Sequence, residues 1–331
     1  MRRFVLLVAL WLLSSCGPVA GGIGSNATAA GTASPQPSAS AKASQFPEAR
    51  QGGLLFEDPI SRHLLLVGGT TPAGAFVSST WTWDGERWNQ LSVLSEGIHV
   101  AFLDSVRNEL IALQAAGPAV NRTASWSGKW SGRNSVHVPS PMSRGSGYAV
   151  FNPTSSNAVY CGIGEDSLGV RGLETWTWDG NDWSLRTGPS PARRLGYAFA
   201  YDPVTKTDVL FGGGPGGGPN PLYADTWQWN GTDWTQLQPV HSPSPGGAYA
   251  TFDQSLNAIV LLDWHGDMWT WTGSDWKTIP STSGGPGAPL VGAAFGYDPV
   301  SRGIIAFGGS TGGSASANTW RWGGASWVPV T

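Results

Sequence analysis

One sequence unit recurs six times along this chain, and residues 196–234 are its clearest copy. The unit has an alanine-rich segment, a turn, an apolar segment that ends in Gly-Gly, and a Trp-x-Trp segment. Its turn residue recurs every 45 to 51 positions, at Asp58, Asp104, Asn152, Asp202, Asp253 and Asp298. Repeats of this length are typical of folds that place identical small units side by side. The recurrence therefore predicts one repeat domain in the folded part of the chain.

Each unit contains four short extended segments separated by turn residues. In the fourth unit they cover 196–201, 208–211, 226–229 and 234–237. The first turn is Asp-Pro or Asn-Pro in four units, where Pro fixes φ and the acidic or amide side chain bonds local backbone. The third turn carries Asp-Gly or Asn-Gly in three units, a pair that tolerates positive φ. We expect a four-stranded antiparallel sheet per unit.

Side-chain size indicates how these sheets are arranged. First strands are rich in Gly and Ala, whereas third and fourth strands hold most of the 19 tryptophans. Radially arranged sheets crowd together near the axis and diverge outwards, so small residues fit the inner strands and indoles fill the outer gaps. The Trp repeat is thus interpreted as packing between sheets rather than as a row of sugar-stacking rings. The second unit lacks the Pro and Gly-Gly signals, and we expect it to be the least regular.

The Gly-Gly pairs Gly68-Gly69, Gly212-Gly213 and Gly308-Gly309, each followed by a variable loop and an aromatic strand, resemble the kelch repeat. The resemblance implies an all-β, six-bladed kelch-type β-propeller, galactose oxidase-like, with four antiparallel strands per blade. It covers residues 47–331, with blades at about 47–93, 94–140, 141–188, 189–240, 241–285 and 286–331. The last unit ends with its own fourth strand, so we expect the ring to close by side-chain packing alone.

Residues 1–16 have the pattern of a bacterial lipoprotein signal peptide. Arg2 and Arg3 precede ten apolar residues, a segment too short to span a bilayer as a helix. Leu13-Ser14-Ser15-Cys16 then resembles a lipobox, which implies lipid attachment at Cys16. The alternative is an ordinary signal peptide with a chance cysteine. The prediction is a lipid-anchored protein of the cell membrane that faces outside the cytoplasm.

Residues 17–46 are mostly Gly, Ala, Ser, Thr and Pro, and we expect them to be a disordered tether. The formal net charge of the chain is −3 and no basic block occurs, so nucleic-acid binding is not expected. With Cys16 lipidated, Cys161 has no cysteine partner and is expected to pack as a small hydrophobe. We expect a monomer.

The loops between strands two and three vary in length and composition, and they define a variable rim on which a site is expected. Shortly before the first-strand Gly, three units carry Arg50, Arg144 or Arg194, which match an Arg of the kelch consensus. These guanidinium groups are candidates for holding a carboxylate or phosphate. The alternative is that each one bonds loop carbonyls.

His99, Trp264 and His265 are further ligand-binding candidates on the variable rim. Trp264 is a candidate because it falls outside the repeat pattern of indoles. His137 and His241 are also placed on this rim, and His63 on the opposite one. The histidines come from different units and no spacing resembles a metal site, so neither a metal nor a cofactor is expected.

Two functions follow from this pattern. The favoured one is a lipid-anchored envelope module whose variable rim binds an envelope or extracellular protein or a glycan. The alternative is a secreted carbohydrate-active enzyme on the same scaffold: a galactose-oxidase-like oxidase, a sialidase or a sugar epimerase. No combination of nucleophile, base and orienting group is evident in the sequence, and no catalytic residue is assigned.

Overall fold

The computed structural model describes residues 46–94, 97–117, 120–139, 147–165, 171–216, 221–280, 285–288 and 290–330. The predicted signal peptide, Cys16, nearly all of the tether, and Arg144 lie outside the described residues. The described part of the chain contains no helix that is long and apolar enough to cross a membrane.

Six antiparallel sheets form a six-bladed β-propeller, and each blade comes from one continuous stretch of chain. Blade 1 contains β1 (Gln51–Glu57), β2 (Leu64–Thr70), β3 (Ser79–Trp83) and β4 (Trp88–Leu94). Blade 2 contains β5 (Ile98–Asp104), β6 (Glu109–Gly117), β7 (Val120–Trp126) and β8 (Trp130–Gly132). Blade 3 contains β9 (Gly147–Asn152), β10 (Asn157–Glu165), β11 (Arg171–Trp178) and β12 (Trp183–Arg186).

Blade 4 contains β13 (Ala198–Asp202), β14 (Thr207–Phe211), β15 (Thr226–Trp229) and β16 (Trp234–Leu237). Blade 5 contains β17 (Tyr249–Asp253), β18 (Ala258–Leu262), β19 (Met268–Trp271) and β20 (Trp276–Ile279). Blade 6 contains β21 (Val291–Asp298), β22 (Gly303–Thr311), β23 (Ser314–Ala315), β24 (Thr319–Trp322) and β25 (Trp327–Val330), where β23 is a two-residue strand paired with β22. The predicted fold is confirmed.

The turn residues act as the sequence predicts. All six are buried, and each accepts a hydrogen bond from the backbone N–H two positions later. The residue four positions after each one has a left-handed φ of 50° to 64°, although none of the six is glycine. This strained position repeats with the same period and was not predicted.

Indoles fill the gaps between blades, and in four of the five Trp-x-Trp pairs the second ring is the more deeply buried. Trp83, Trp178, Trp229, Trp271 and Trp322 are at most 3% exposed. Four of the first rings, at Trp176, Trp227, Trp269 and Trp320, are half-buried, whereas Trp81 is 1% exposed. The prediction of inter-blade packing is confirmed, with this gradient in burial along the strand.

Blade 2 is the least regular, as predicted. Its pairings β5–β6 and β6–β7 both contain a register shift, and β8 has only three residues.

Blades 1 and 6 close the ring without sharing a strand. Trp88 Nε1 donates to Thr319 Oγ1 at 2.8 Å, and Trp83 Nε1 donates to Asp298 Oδ2 at 3.2 Å. Backbone bonds add to these contacts, since the N–H of Gly309 donates to the carbonyl of Arg50 at 2.9 Å. The expectation that side-chain packing alone closes the ring was therefore wrong.

Candidate functional site

A cavity of about 490 Å³ opens on the variable rim, where the first strands of all six blades meet. Small residues at the start of these strands, such as Gly53, Gly147, Gly196 and Ala293, allow the six chains to approach the axis. Each first strand pairs only with the second strand of its own blade, so its other edge faces the axis with backbone N–H and C=O groups unpaired within the sheet. A second cavity of about 390 Å³ continues along the same strands towards the turn side.

Trp264 and Leu222 form one apolar wall of the variable-rim cavity. Both pack on Gly246, where a Cβ would lie 3.1 Å from Cδ1 of Leu222 and 3.3 Å from Cγ of Trp264. The six-membered ring of Trp264 also lies over Gly247, where a Cβ would be 2.9 Å from its Cε3. Only glycine leaves room for the indole in this position. Trp264, a sequence candidate, thus lines the cavity as a half-buried ring.

The mouth of the cavity is apolar and exposed. Phe76 from blade 1, Leu222 from blade 4 and Val291 from blade 6 line it and are 50%, 48% and 45% exposed. No Asp, Glu, Lys or Arg is among the described residues that line this cavity. The polar side chains that line it include Gln51, Thr70 and His99.

His99 is a sequence candidate that does reach the cavity. Its Nδ1 lies 3.2 Å from the carbonyl oxygen of Gly97, and its Nε2 is buried with no hydrogen-bond partner. Burial lowers the pKa of this imidazole, an effect that the Gly97 carbonyl opposes in part. His99 is therefore neutral at physiological pH, and the described residues that line the cavity carry no net charge.

Two tyrosines fix the deeper wall. The hydroxyl of Tyr249 donates to the Leu290 carbonyl at 3.2 Å and accepts from the N–H of Ala293 at 3.1 Å. Tyr148 lies edge-on to Tyr197 with ring centroids 4.9 Å apart. Burial raises the pKa of Tyr148 and Tyr249, so both remain neutral.

Arg50 and Arg194 do not line the cavity. Arg194 is fully buried, and it forms a two-bond pair with Asp225 at 2.6 and 2.9 Å and a third bond to the Gly212 carbonyl at 3.0 Å. Arg50 bonds the Gly68 carbonyl at 3.1 Å and the Glu48 carboxylate at 2.8 Å. In the structure, both guanidinium groups bond a Gly-Gly carbonyl and a carboxylate of their own blade instead of facing the cavity, as the alternative of bonds to loop carbonyls describes.

The Gly-Gly pair explains why these arginines turn inwards. Gly68 and Gly212 have φ of 66° and 71°, which turns each carbonyl towards the arginine of its own blade. Burial acts to raise the pKa of Asp225, but hydrogen bonds from Arg194 and Trp227 hold it below its usual value. The guanidinium of Arg194 also lies 4.4 Å from the ring centroid of Tyr223. Each arginine therefore links the residues before strand one to the Gly-Gly pair at the end of strand two in the same blade.

The remaining histidines are dispersed. His265 is exposed beside Trp264, with Nδ1 2.8 Å from Ser244 Oγ, and does not line the cavity. His137 and His241 each pair through Nδ1 with a carboxylate at 2.8 Å, that of Asp182 and Asp275 respectively. Those carboxylates sit in the turns between strands three and four of the next blade. His137 and His241 are thus on the turn side, and their predicted place on the variable rim was wrong.

In the described ranges, no group of three or more His, Cys, Asp or Glu side chains is close enough to hold a metal ion. Cys161 is a free thiol, fully buried among Val159, Leu173 and Leu210, as its sequence position predicted. Burial raises the pKa of this thiol.

Sequence reasoning missed Phe76, Leu222 and Val291. Phe76 and Leu222 lie in the strand two to three loops at 70–79 and 214–224, and Val291 is the first residue of β21. Single apolar residues at such positions carry no sequence signal of a site.

No protein-family model matches the sequence, and no curated protein matches it. Solved structures do match the fold. The structure of YjhT matches with a TM-score of 0.57 at 15% identity, over 87% of this chain and 99% of that chain. The lectin of Aleuria aurantia, described as a fungal six-bladed β-propeller with a novel fucose recognition mode, matches with a TM-score of 0.55 at 13% identity, over 87% of this chain and 96% of that one.

The SapL1 lectin in complex with α-methyl fucoside matches with a TM-score of 0.51 at 14% identity, over 86% of this chain and 96% of that one. At these identities the likeness shows the fold alone: the chain is a six-bladed β-propeller.

Proposed function

We propose that this protein is a lipid-anchored, kelch-type propeller of the cell envelope that binds an extracellular or envelope protein, or a glycan, at its variable rim. One observation carries the binding role. A cavity of about 490 Å³ with walls from all six blades, whose described lining residues carry no charge, opens among loops of differing length. Concave, largely apolar cavities of this size are the usual form of a ligand site.

The scaffold supports this role because the first strands belong to hydrogen-bonded sheets, whereas the mouth of the cavity is built from loops that differ between blades. Two of the matching propellers are lectins, and one was solved in complex with α-methyl fucoside. This favours a glycan as one ligand class to test.

The location rests on the N-terminal sequence. Cys16 follows the apolar segment directly, and about 30 residues of small-residue tether then separate it from the propeller. The protein would act as a monomer held at the membrane. Metabolic labelling with a tagged fatty acid tests this, and labelling that persists in Cys16→Ala would refute it.

The binding role is tested with the full chain purified in detergent. It is immobilised and exposed to an array of neutral glycans and to envelope extract. We expect Trp264→Ala to lose most of the binding, because the variant removes one wall of the cavity.

A paired glycine test separates the cavity from general damage. Gly247→Ala adds a methyl group 2.9 Å from the Trp264 ring, which must shift, whereas a Cβ at Gly172 meets nothing within 4 Å. Binding should fall in Gly247→Ala and persist in Gly172→Ala. Equal binding by both variants would place the ligand elsewhere.

A further inference from the structure

We infer that the ligand of the variable-rim cavity is an uncharged protein segment whose large apolar side chains enter the cavity. This inference rests on the proposed binding function and narrows it from protein or glycan to one class. It depends on three features: the side chains at the mouth, the charge of the walls, and the backbone groups deeper inside.

The side chains at the mouth are of the kind that interfaces bury. Phe76, Leu222 and Val291 expose about half of their surface and come from three different blades. Aliphatic side chains gain free energy when other apolar side chains cover them. Aromatic rings stack well on sugars, but Leu222 and Val291 offer a sugar neither a flat face nor a hydrogen bond. The mouth therefore favours a protein side chain.

Leu222 packs against backbone at the mouth. It lies over Gly214 and Gly246, where added Cβ atoms would lie 2.8 and 3.1 Å from its methyl groups. Leu195 lies in the same way over Gly216. A preformed apolar surface costs little conformational entropy when a partner docks.

The lack of charge on the described lining residues disfavours a charged protein segment. The described lining residues include no carboxylate, ammonium or guanidinium group, and burial keeps His99 neutral. A charged side chain that entered would lose its hydration without gaining a partner, which is costly. The buried pairs of Arg50 and Arg194 direct both cations into their own blades. The segment that enters is therefore uncharged.

The walls also provide hydrogen bonds to a backbone. Near the axis, the inner edges of β1, β9, β13, β17 and β21 are not paired within their sheets. Such edges can bond the N–H and C=O groups of an extended segment, as added strands do in other proteins. An acyl chain would leave these groups unused. The combination of an apolar mouth and a polar backbone lining fits a peptide.

The test is selection from a peptide library displayed on phage, with the full chain immobilised. Enriched sequences should carry two or more large apolar residues and no charge at their centre. One enriched peptide is then synthesised with a fluorophore, and its Kd is measured by anisotropy.

Leu222→Ser and Val291→Ser should each raise the Kd of that peptide by about tenfold, equivalent to about 1.4 kcal/mol of binding free energy. Val240→Ser is the control, because Val240 is 86% exposed and does not line the cavity. The Kd should also stay constant between about 0.05 and 0.5 M NaCl, since no charge pair forms.

Several results would overturn the inference. The inference would be wrong if the enriched peptides carried charge, if their Kd changed with salt, or if Leu222→Ser left their Kd unchanged. Binding to neutral glycans alone, lost in Trp264→Ala, would refute the inference and leave the proposed function standing. Binding to phosphatidylcholine vesicles that Leu222→Ser abolishes would make the mouth a membrane contact instead. A protein that binds no peptide, no glycan and nothing in envelope extract would refute both the inference and the proposed binding function.

Discussion

The indole N–H of Trp276 donates a 3.0 Å hydrogen bond to Oγ1 of Thr226, and this bond joins the fourth strand of blade 5 to the third strand of blade 4. The same bond recurs at three other interfaces, at 2.8 to 3.0 Å, in the pairs Trp88–Thr319, Trp183–Thr123 and Trp234–Thr175. The repeat therefore encodes a polar link between blades inside an apolar core. At the interface of blades 5 and 6, Met268 occupies the position of the threonine, and Trp327 Nε1 has no partner.

Removing one such link should destabilise the propeller. Thr226→Val keeps the shape of the side chain but leaves the buried indole N–H of Trp276 without an acceptor. We expect the free energy of unfolding to fall by about 1–3 kcal/mol, measured by guanidinium denaturation. Thr226→Ser, which retains the hydroxyl, should lose less. Equal losses in the two variants would contradict a role for the bond.

The position of Met268, where the repeat lacks its threonine, allows the missing hydrogen bond to be added. Met268→Thr and Met268→Val both remove the buried thioether, but only threonine supplies an acceptor to Trp327. We expect Met268→Thr to be more stable than Met268→Val by about 1 kcal/mol in the same denaturation assay. Equal stability of the Met268→Val and Met268→Thr variants would show that threonine forms no stabilising hydrogen bond with Trp327.

The sequence predicted the fold because several signals recur in register along six units, although single units lack some of them. Asp202 and its equivalents mark the turns, and the Gly-Ala and Trp segments mark the inner and outer strands. Burial of individual rings was less predictable. Trp227 and Trp229 look alike in sequence, yet only Trp229 is fully buried, because burial depends on side chains of the neighbouring blade, which lie far away in sequence.

The site was only partly predictable. Arg194 looked like a ligand-binding residue because its partners, the Gly212 carbonyl and the Asp225 carboxylate, are 18 and 31 residues away and depend on a left-handed glycine. Trp264 was found because it falls outside the repeat pattern of indoles, and His99 because it maps to the variable rim. Leu222 was missed because a single apolar residue in a loop has no periodic signal, and its neighbour Trp264 comes from another blade.

The left-handed residue after each first turn should limit stability. Lys206 has φ of 60°, and its side chain is exposed. Lys206→Gly should raise the free energy of unfolding by about 0.5–1 kcal/mol, because glycine adopts this conformation without strain. Lys206→Val should lower it, since a β-branched side chain tolerates positive φ least. A valine variant as stable as the glycine variant would show that the strain is absent.

The buried arginine should matter for folding and not for ligand binding. Arg194→Lys keeps the charge but loses the forked pair with Asp225 and the bond to Gly212. We expect a loss of about 1–3 kcal/mol in stability, because hydrogen bonds to charged groups are lost while the positive charge remains. Ligand affinity of the folded fraction should be unchanged, and a selective loss of affinity would restore Arg194 as a binding residue.

Asp208 should make the stability of the propeller depend on pH. Its carboxyl group is fully buried between blades 3 and 4, at the position that Leu64, Leu110, Ile259 and Ile304 occupy in other blades. Neither carboxyl oxygen forms a hydrogen bond of normal geometry. Burial raises the pKa of Asp208 well above its usual value, although the Asn152 side chain lowers it in part.

The sign of the effect follows from this shift. In the unfolded chain the carboxyl ionises near pH 4, whereas in the folded chain it stays protonated to a higher pH. Rising pH above about 4 therefore favours the unfolded chain, until the pH passes the folded pKa. Asp208→Leu, which has no titrating group, should be more stable than the parent at pH 7. The difference should shrink on acidification by up to about 1.4 kcal/mol per pH unit. Guanidinium denaturation of both proteins from pH 4 to pH 8 measures it, with Asp208→Asn as a polar control, and a difference independent of pH would show that Asp208 is ionised in the folded protein.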